Sequence, residues 1–187
     1  MTFLTECQMS EALVDLVRPI IEGAHGLSLL EQVDGLIGRP DFLLMKQVGS
    51  RISYVVAVEL KLKAWRRALS QAIKYRNFSN ESYIILPDEH LGPALRKPHL
   101  FHNSGIGLAS FDSVGGLRIH IHSRPYRPFS AQLSRRLIER YAPEECRATS
   151  KHFFERSVAG RRDFEMFGGL VVGNKIASPK VRLKDPV

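Results

Sequence analysis

The run Ile52–Leu62, ISYVVAVELKL, limits what this chain can fold into more than any other stretch. It is rich in β-branched and aromatic residues and short for a helix, so it reads as a strand. Val55–Val58 is apolar on both faces, as in a strand covered from both sides. Charge then appears at Glu59 and Lys61. Side chains alternate along a strand, so Glu59, Lys61 and Lys63 point to one side. Charges at the end of a buried run are costly without partners. Either the strand emerges into solvent at Glu59, or these groups converge with another charge.

The preceding segments supply such a charge. Leu27–Ile37 and Pro40–Val48 read as extended, punctuated by Gly35, Gly38 and Pro40. Gly49-Ser50-Arg51 makes a turn, so Pro40–Leu62 is expected as the last hairpin of a β-meander. Antiparallel pairing would bring Asp41, which follows Gly38-Arg39-Pro40, close to Glu59 and Lys61. Two carboxylates a few ångströms apart repel unless a cation or proton lies between them. A hard divalent ion such as Mg²⁺ takes carboxylate oxygens and keeps several waters. Such an ion can polarise a scissile phosphate and lower the pKa of a bound water. Lys61 can then orient or deprotonate that water, or neutralise transition-state charge. These are the parts of phosphodiester hydrolysis.

Ala64–Phe78 reads as a helix in which Ala64, Ala68, Gln71, Ala72 and Tyr75 form one stripe. Arg66, Arg67, Ser70 and Lys74 lie on the other face. Tyr75 and Gln71 fit plain packing on a sheet. An amide on an alanine-lined face nevertheless needs partners, which the acids and lysine would provide. Ahead of the meander, Ser10–Ile21 is a helix candidate with Ser10 as N-cap, Glu11 and Asp15 near its positive end, and Pro19 as a source of kinking. Beyond the second helix, Tyr83–Leu86 reads as a short buried strand. Asp88–Ser104 is polar and proline-broken, with a short helix around Leu91–Arg96. Gly105–Phe111 and Leu117–Ser123 follow as strands joined at Asp112–Gly116. Arg124–Pro128, RPYRP, marks a boundary between a domain over 1–128 and a basic, mainly helical extension over 129–187. The extension carries helix candidates Ser130–Tyr141 and Pro143–Val158. Its end is either a small hairpin, Gly169–Val172 with Lys175–Ala177, or a loose segment.

With 187 residues and a net charge of +8, the chain suits a polyanionic partner, nucleic acid before a membrane surface. Cys7 and Cys146 are far apart and form neither a disulfide framework nor a zinc pattern. The first residues lack the basic start of a secretory leader, and apolar runs fall far short of the roughly 20 residues of a membrane span. A soluble cytoplasmic protein is expected. His120 and His122 read as plain strand histidines, His99 and His102 as surface residues, and Trp65 as a packing residue. Arg135, Arg136 and Arg140 form a basic helix face, solvated by default and able to contact phosphate.

Pro40-Asp41 followed by Glu59-Leu60-Lys61, in an α-β-β-β-α-β order, resembles the PD-(D/E)XK nuclease superfamily. Gln71-Ala72-Ile73-Lys74-Tyr75 looks like the QxxxY signature of its RecB-type members. The resemblance covers roughly residues 10–123. It implies a restriction-endonuclease-like core with a central mixed sheet flanked by helices. It further implies Mg²⁺-dependent cleavage of nucleic acid, with Mn²⁺ able to substitute, DNA the expected substrate and endonucleolytic cutting ahead of exonucleolytic. Carried over, Asp41 and Glu59 bind metal, Lys61 is catalytic, and Gln71 and Tyr75 support the site or contact nucleic acid. Arg66, Arg67, Arg135 and Arg136 are the expected phosphate contacts. An acid on the first helix often joins such sites; Glu11 and Glu22 are the candidates, with Glu11 ahead. A homodimer is one assembly the resemblance allows. The alternative is a catalytically silent nucleic-acid-binding or regulatory protein on the same fold.

Overall fold

A computed structural model of the chain describes residues 3–34, 37–112, 114 and 116–147. The elements run α1 (Glu6–Gly23), β1 (Leu27–Glu31), β2 (Phe42–Val48), β3 (Arg51–Leu60), α2 (Trp65–Tyr75) and β4 (Glu81–Pro87). A 3-10 turn (Asp88–His90) leads to α3 (Gly92–Leu95), α4 (Pro98–Ser104), β5 (Gly107–Phe111), β6 (Leu117–Ile121), α5 (Ala131–Tyr141) and α6 (Glu144–Arg147). The six strands lie in sequence order in one sheet. The β3–β4 and β4–β5 pairs are parallel and the others antiparallel. Parallel neighbours need a crossover, and α2 makes the first while the α3–α4 segment makes the second. The expected α/β class, a mixed sheet flanked by helices, is the one observed.

Strand alternation sorts the core onto two faces. Phe42, Leu44, Val56, Val58, Tyr83 and Ile85 pack with Met9, Leu13, Val14 and Ile21 of α1. Leu43, Met45, Val55, Ala57, Ile84 and Leu86 pack with Trp65, Ala68, Leu69, Ala72 and Tyr75 of α2. The central strands are covered on both sides, hence their continuous apolar runs. Trp65 and Leu69 complete the buried stripe of α2, while Ala64 is exposed outside the helix. Trp65 stacks on Phe101, so it is indeed a packing residue.

Three local expectations need revision. Helix α1 begins at Glu6, because Thr5 rather than Ser10 is its cap: Thr5 Oγ1 accepts from the Gln8 amide at 3.1 Å, and Gln8 Oε1 accepts from Leu4 N at 3.0 Å. Pro19 sits inside that helix without ending it. Pro93 and Pro98 each fall in the first turn of a short helix, where a missing N–H costs nothing, so the proline-broken stretch is mostly helical.

The RPYRP segment is bound to the α2–β4 corner. Tyr126 N donates to Asn80 O, Phe129 N donates to Arg76 O, and the Arg76 guanidinium stacks on the Tyr126 and Phe129 rings. Beyond it, Leu137, Ile138, Ala142 and Cys146 join the cluster built by α2 and β3. Residues 129–147 therefore share the core of the preceding residues. The rest of the Pro143–Val158 helix and the Gly169–Val172 hairpin lie outside the described residues. No helix among the described residues is long and apolar enough to cross a membrane.

Glu81, at the start of β4, is 6% exposed and takes a 2.6 Å hydrogen bond from the Tyr54 hydroxyl. Burial raises its pKa from the ordinary 4.5, and the Tyr54 and Tyr83 hydroxyls oppose the rise. Between its unfolded and folded pKa values it holds more proton folded than unfolded. Its stabilising contribution is whole below the unfolded pKa and is lost as pH climbs through the folded one. Glu81→Gln still accepts from Tyr54 but cannot titrate. Urea midpoints followed from about pH 4 to about pH 8 should therefore fall less for the variant than for the wild type; equal slopes would show that Glu81 contributes none of this dependence. Leu137→Ala should lower global stability by about 2–5 kcal/mol in one cooperative transition, whereas a helix outside the core would leave that transition where it was.

Candidate active site

The β2–β3 register pairs Phe42 with Val58, and one further step sets Asp41 beside Glu59. Asp41 Oδ2 accepts from the Leu60 amide at 2.7 Å, while the Asp41 carbonyl accepts from Gln32 N at 2.9 Å. Glu59 shares the strand face of Val55 and Ala57, under α2, and is 1% exposed. Its Oε2 receives the Tyr75 hydroxyl at 2.5 Å, and its Oε1 lies 3.0 Å from Lys61 Nζ. Helical side chains lean toward the helix start, which is how the last residue of α2 reaches back to the end of β3. Gly38 makes room for it: at φ +78°, a Cβ there would lie 2.9 Å from the Tyr75 ring.

Lys61 Nζ has two further oxygen partners, the Leu60 carbonyl at 2.7 Å and Glu6 Oε2 at 3.1 Å. Burial alone would lower the Lys61 pKa, but Glu59, Glu6 and Asp41 outweigh it and the net shift is upward from 10.5. With these partners Lys61 is held as an ammonium at neutral pH, suited to orienting groups or neutralising charge. Burial raises Glu59; the Tyr75 hydroxyl and Lys61 oppose that rise and Asp41 adds to it. Burial also raises Asp41, against the Leu60 amide and Lys61.

The remaining sequence candidates fall in three places. Gln71 lies beside the Tyr75 hydroxyl, and its Oε1 is buried with no hydrogen-bond partner. Glu11 is exposed, accepts from the Cys7 thiol, and lines a cleft of about 540 Å³ with Glu6, Asp15, Glu31 and Asp41, yet does not touch Lys61. Glu22 is exposed near the far end of α1. Glu6 is the acid of the first helix that reaches the lysine, and it lay outside the expected helix because that helix was started at Ser10. The cap signal Thr5-x-x-Gln8 could have found it. Tyr75, expected to support the site or contact nucleic acid, is fully buried, so of those roles only support remains open to it in this conformation. Arg66 and Arg67 are exposed on α2, after the exposed Lys63, while Arg135 and Arg136 are exposed on α5. His120 bonds the Ser110 hydroxyl at 2.7 Å, as a strand histidine does.

Among the described residues no three His, Cys, Asp or Glu side chains form a metal-holding group. That does not conflict with Mg²⁺, which needs only one or two carboxylates and fills its shell with water. The paired Asp41 and Glu59 fit such an ion, and the orphaned Gln71 oxygen calls for a donor such as ordered water. No protein-family model matches the chain, and no curated protein sequence is similar to it.

Tyr75→Phe keeps the ring against Gly38 and removes the donor to Glu59. It should cost about 1–3 kcal/mol in chemical denaturation, as for a hydrogen bond to a buried charged group. A loss near zero would mean that Lys61 alone sustains the buried carboxylate.

Proposed function

We propose that this protein is a divalent-metal-dependent nuclease of the PD-(D/E)XK type, cutting phosphodiester bonds in DNA, with endonucleolytic action favoured. The observation that carries the reading is the meeting of Asp41, Glu59 and Lys61 at the paired ends of β2 and β3. The QxxxY stripe adds support, since Tyr75 bonds Glu59 and Gln71 stands beside it. Asp41 and Glu59 would hold Mg²⁺ or Mn²⁺, which when bound supplies Lewis-acid activation of the phosphate and a water of lowered pKa.

The chain's own groups account for the rest. Tyr75 fixes the Glu59 carboxylate, so that one oxygen is committed to the phenol and the other faces Lys61. The Leu60 amide fixes one oxygen of Asp41. Lys61, protonated, neutralises charge that grows on the phosphate oxygens. Lys63, Arg66 and Arg67, exposed just after the site in sequence, offer phosphate contacts for the polymer.

Plasmid, linear duplex and single-stranded DNA are incubated with the full chain and Mg²⁺ or Mn²⁺. The wild type should cleave, and Asp41→Ala and Lys61→Ala should each reduce the rate by roughly 10²–10⁴. Salt-sensitive binding without cleavage by any form would instead favour a silent nucleic-acid-binding protein.

A further inference from the structure

The Lys61 ammonium occupies an oxygen cage of the kind a metal ion takes. Three oxygens surround Nζ: the Leu60 carbonyl at 2.7 Å, Glu59 Oε1 at 3.0 Å and Glu6 Oε2 at 3.1 Å. They comprise two carboxylates and one backbone carbonyl, a hard donor set. Only one member is free to move. Glu59 is held by Tyr75 and is 1% exposed, and the Leu60 carbonyl belongs to the strand, whereas the Glu6 side chain is 49% exposed on the first turn of α1. Asp41 adjoins the cage through its bond to the Leu60 amide.

Two cations cannot share this space. A divalent ion holds oxygens at roughly 2.0–2.1 Å for Mg²⁺, well inside the observed N···O distances. A second positive charge on the same Glu59 oxygen would be repelled strongly in so buried a place. We propose that Lys61 is the resident counter-ion of the site, and that its ammonium and a divalent metal ion held by Asp41 and Glu59 are alternative partners of Glu59 Oε1. This rests on the metal-site reading above and adds to it how the empty protein tolerates its buried acids. In the metal-free protein Lys61 neutralises them. When the metal is bound, Lys61 leaves Glu59 Oε1 and the Leu60 carbonyl and becomes available to the substrate phosphate. The lysine thus has two stations, only the second of which is productive.

The test measures Mn²⁺ binding to the full chain by titration calorimetry for the wild type, Lys61→Met and Asp41→Asn. Lys61→Met keeps the length of the side chain and removes its charge, so it should bind Mn²⁺ roughly tenfold tighter or better than the wild type. Asp41→Asn should bind it more weakly. Equal or weaker binding by Lys61→Met, with Asp41→Asn still weakened, overturns the sharing of Glu59 Oε1 and leaves the metal site standing. No Mn²⁺ binding by the wild type or by Lys61→Met overturns both. Because Lys61→Met leaves Glu59 without a cation and can lose its fold, a second measurement uses the wild type alone. Acylation of Lys61, read by peptide mass spectrometry, should rise severalfold along the Mg²⁺ binding curve. Unchanged labelling at saturating Mg²⁺ overturns the displacement.

Discussion

A carboxylate at the end of the central strand governs this structure. Glu59 is 1% exposed, and an ion so placed costs several kcal/mol unless its oxygens are satisfied. Tyr75 satisfies one oxygen and Lys61 the other. These bonds constrain much of the surrounding fold. Helix α2 must dock so that its last residue reaches β3. The loop before β2 must carry a glycine where the Tyr75 ring lies, and the β2–β3 register must set Asp41 at the same end.

The second buried acid shows how much the choice of partner matters. Glu81 begins β4 opposite Val56, and the hydroxyls of Tyr54 and Tyr83 donate to it. Phenols can serve a protonated or an ionised carboxyl alike, so that end of the sheet suits packing. At Glu59 an ammonium is present as well, and a second carboxylate, Asp41, stands beside it. The two ends of one strand pair therefore carry buried glutamates with different chemical prospects.

Much of this was legible in the sequence, for reasons that particular residues make plain. The apolar run ending in Glu59-Leu60-Lys61 and the proline before Asp41 fixed a hairpin, and alternation along its strands dictated which side chains meet. The QxxxY spacing put Gln71 and Tyr75 on one face of a helix whose small residues allow close approach. What escaped was nonlocal or hidden in capping. Glu6 reaches Lys61 only because α1 starts at Glu6, capped by Thr5, a turn earlier than its apolar periodicity suggests. That Leu137 and Ile138 face inward on the Ser130–Tyr141 helix was legible; that they join the core built by α2 and β3 was not, since amphipathicity shows that a face is buried without saying against what. The short helix around Leu91–Arg96 was read correctly, but Pro98, read as a break, opens a second helix.

The span from Gly38 to Tyr75 contains the hairpin, the crossover helix and nearly every group of the candidate centre. Contacts so close in sequence close short loops and lose little chain entropy in forming. The centre can thus take shape as one hairpin–helix unit before the distant strands are in place. Glu6 is the exception, meeting Lys61 across 55 positions. The third oxygen partner of the lysine therefore comes from outside that unit and depends on how the first helix is seated.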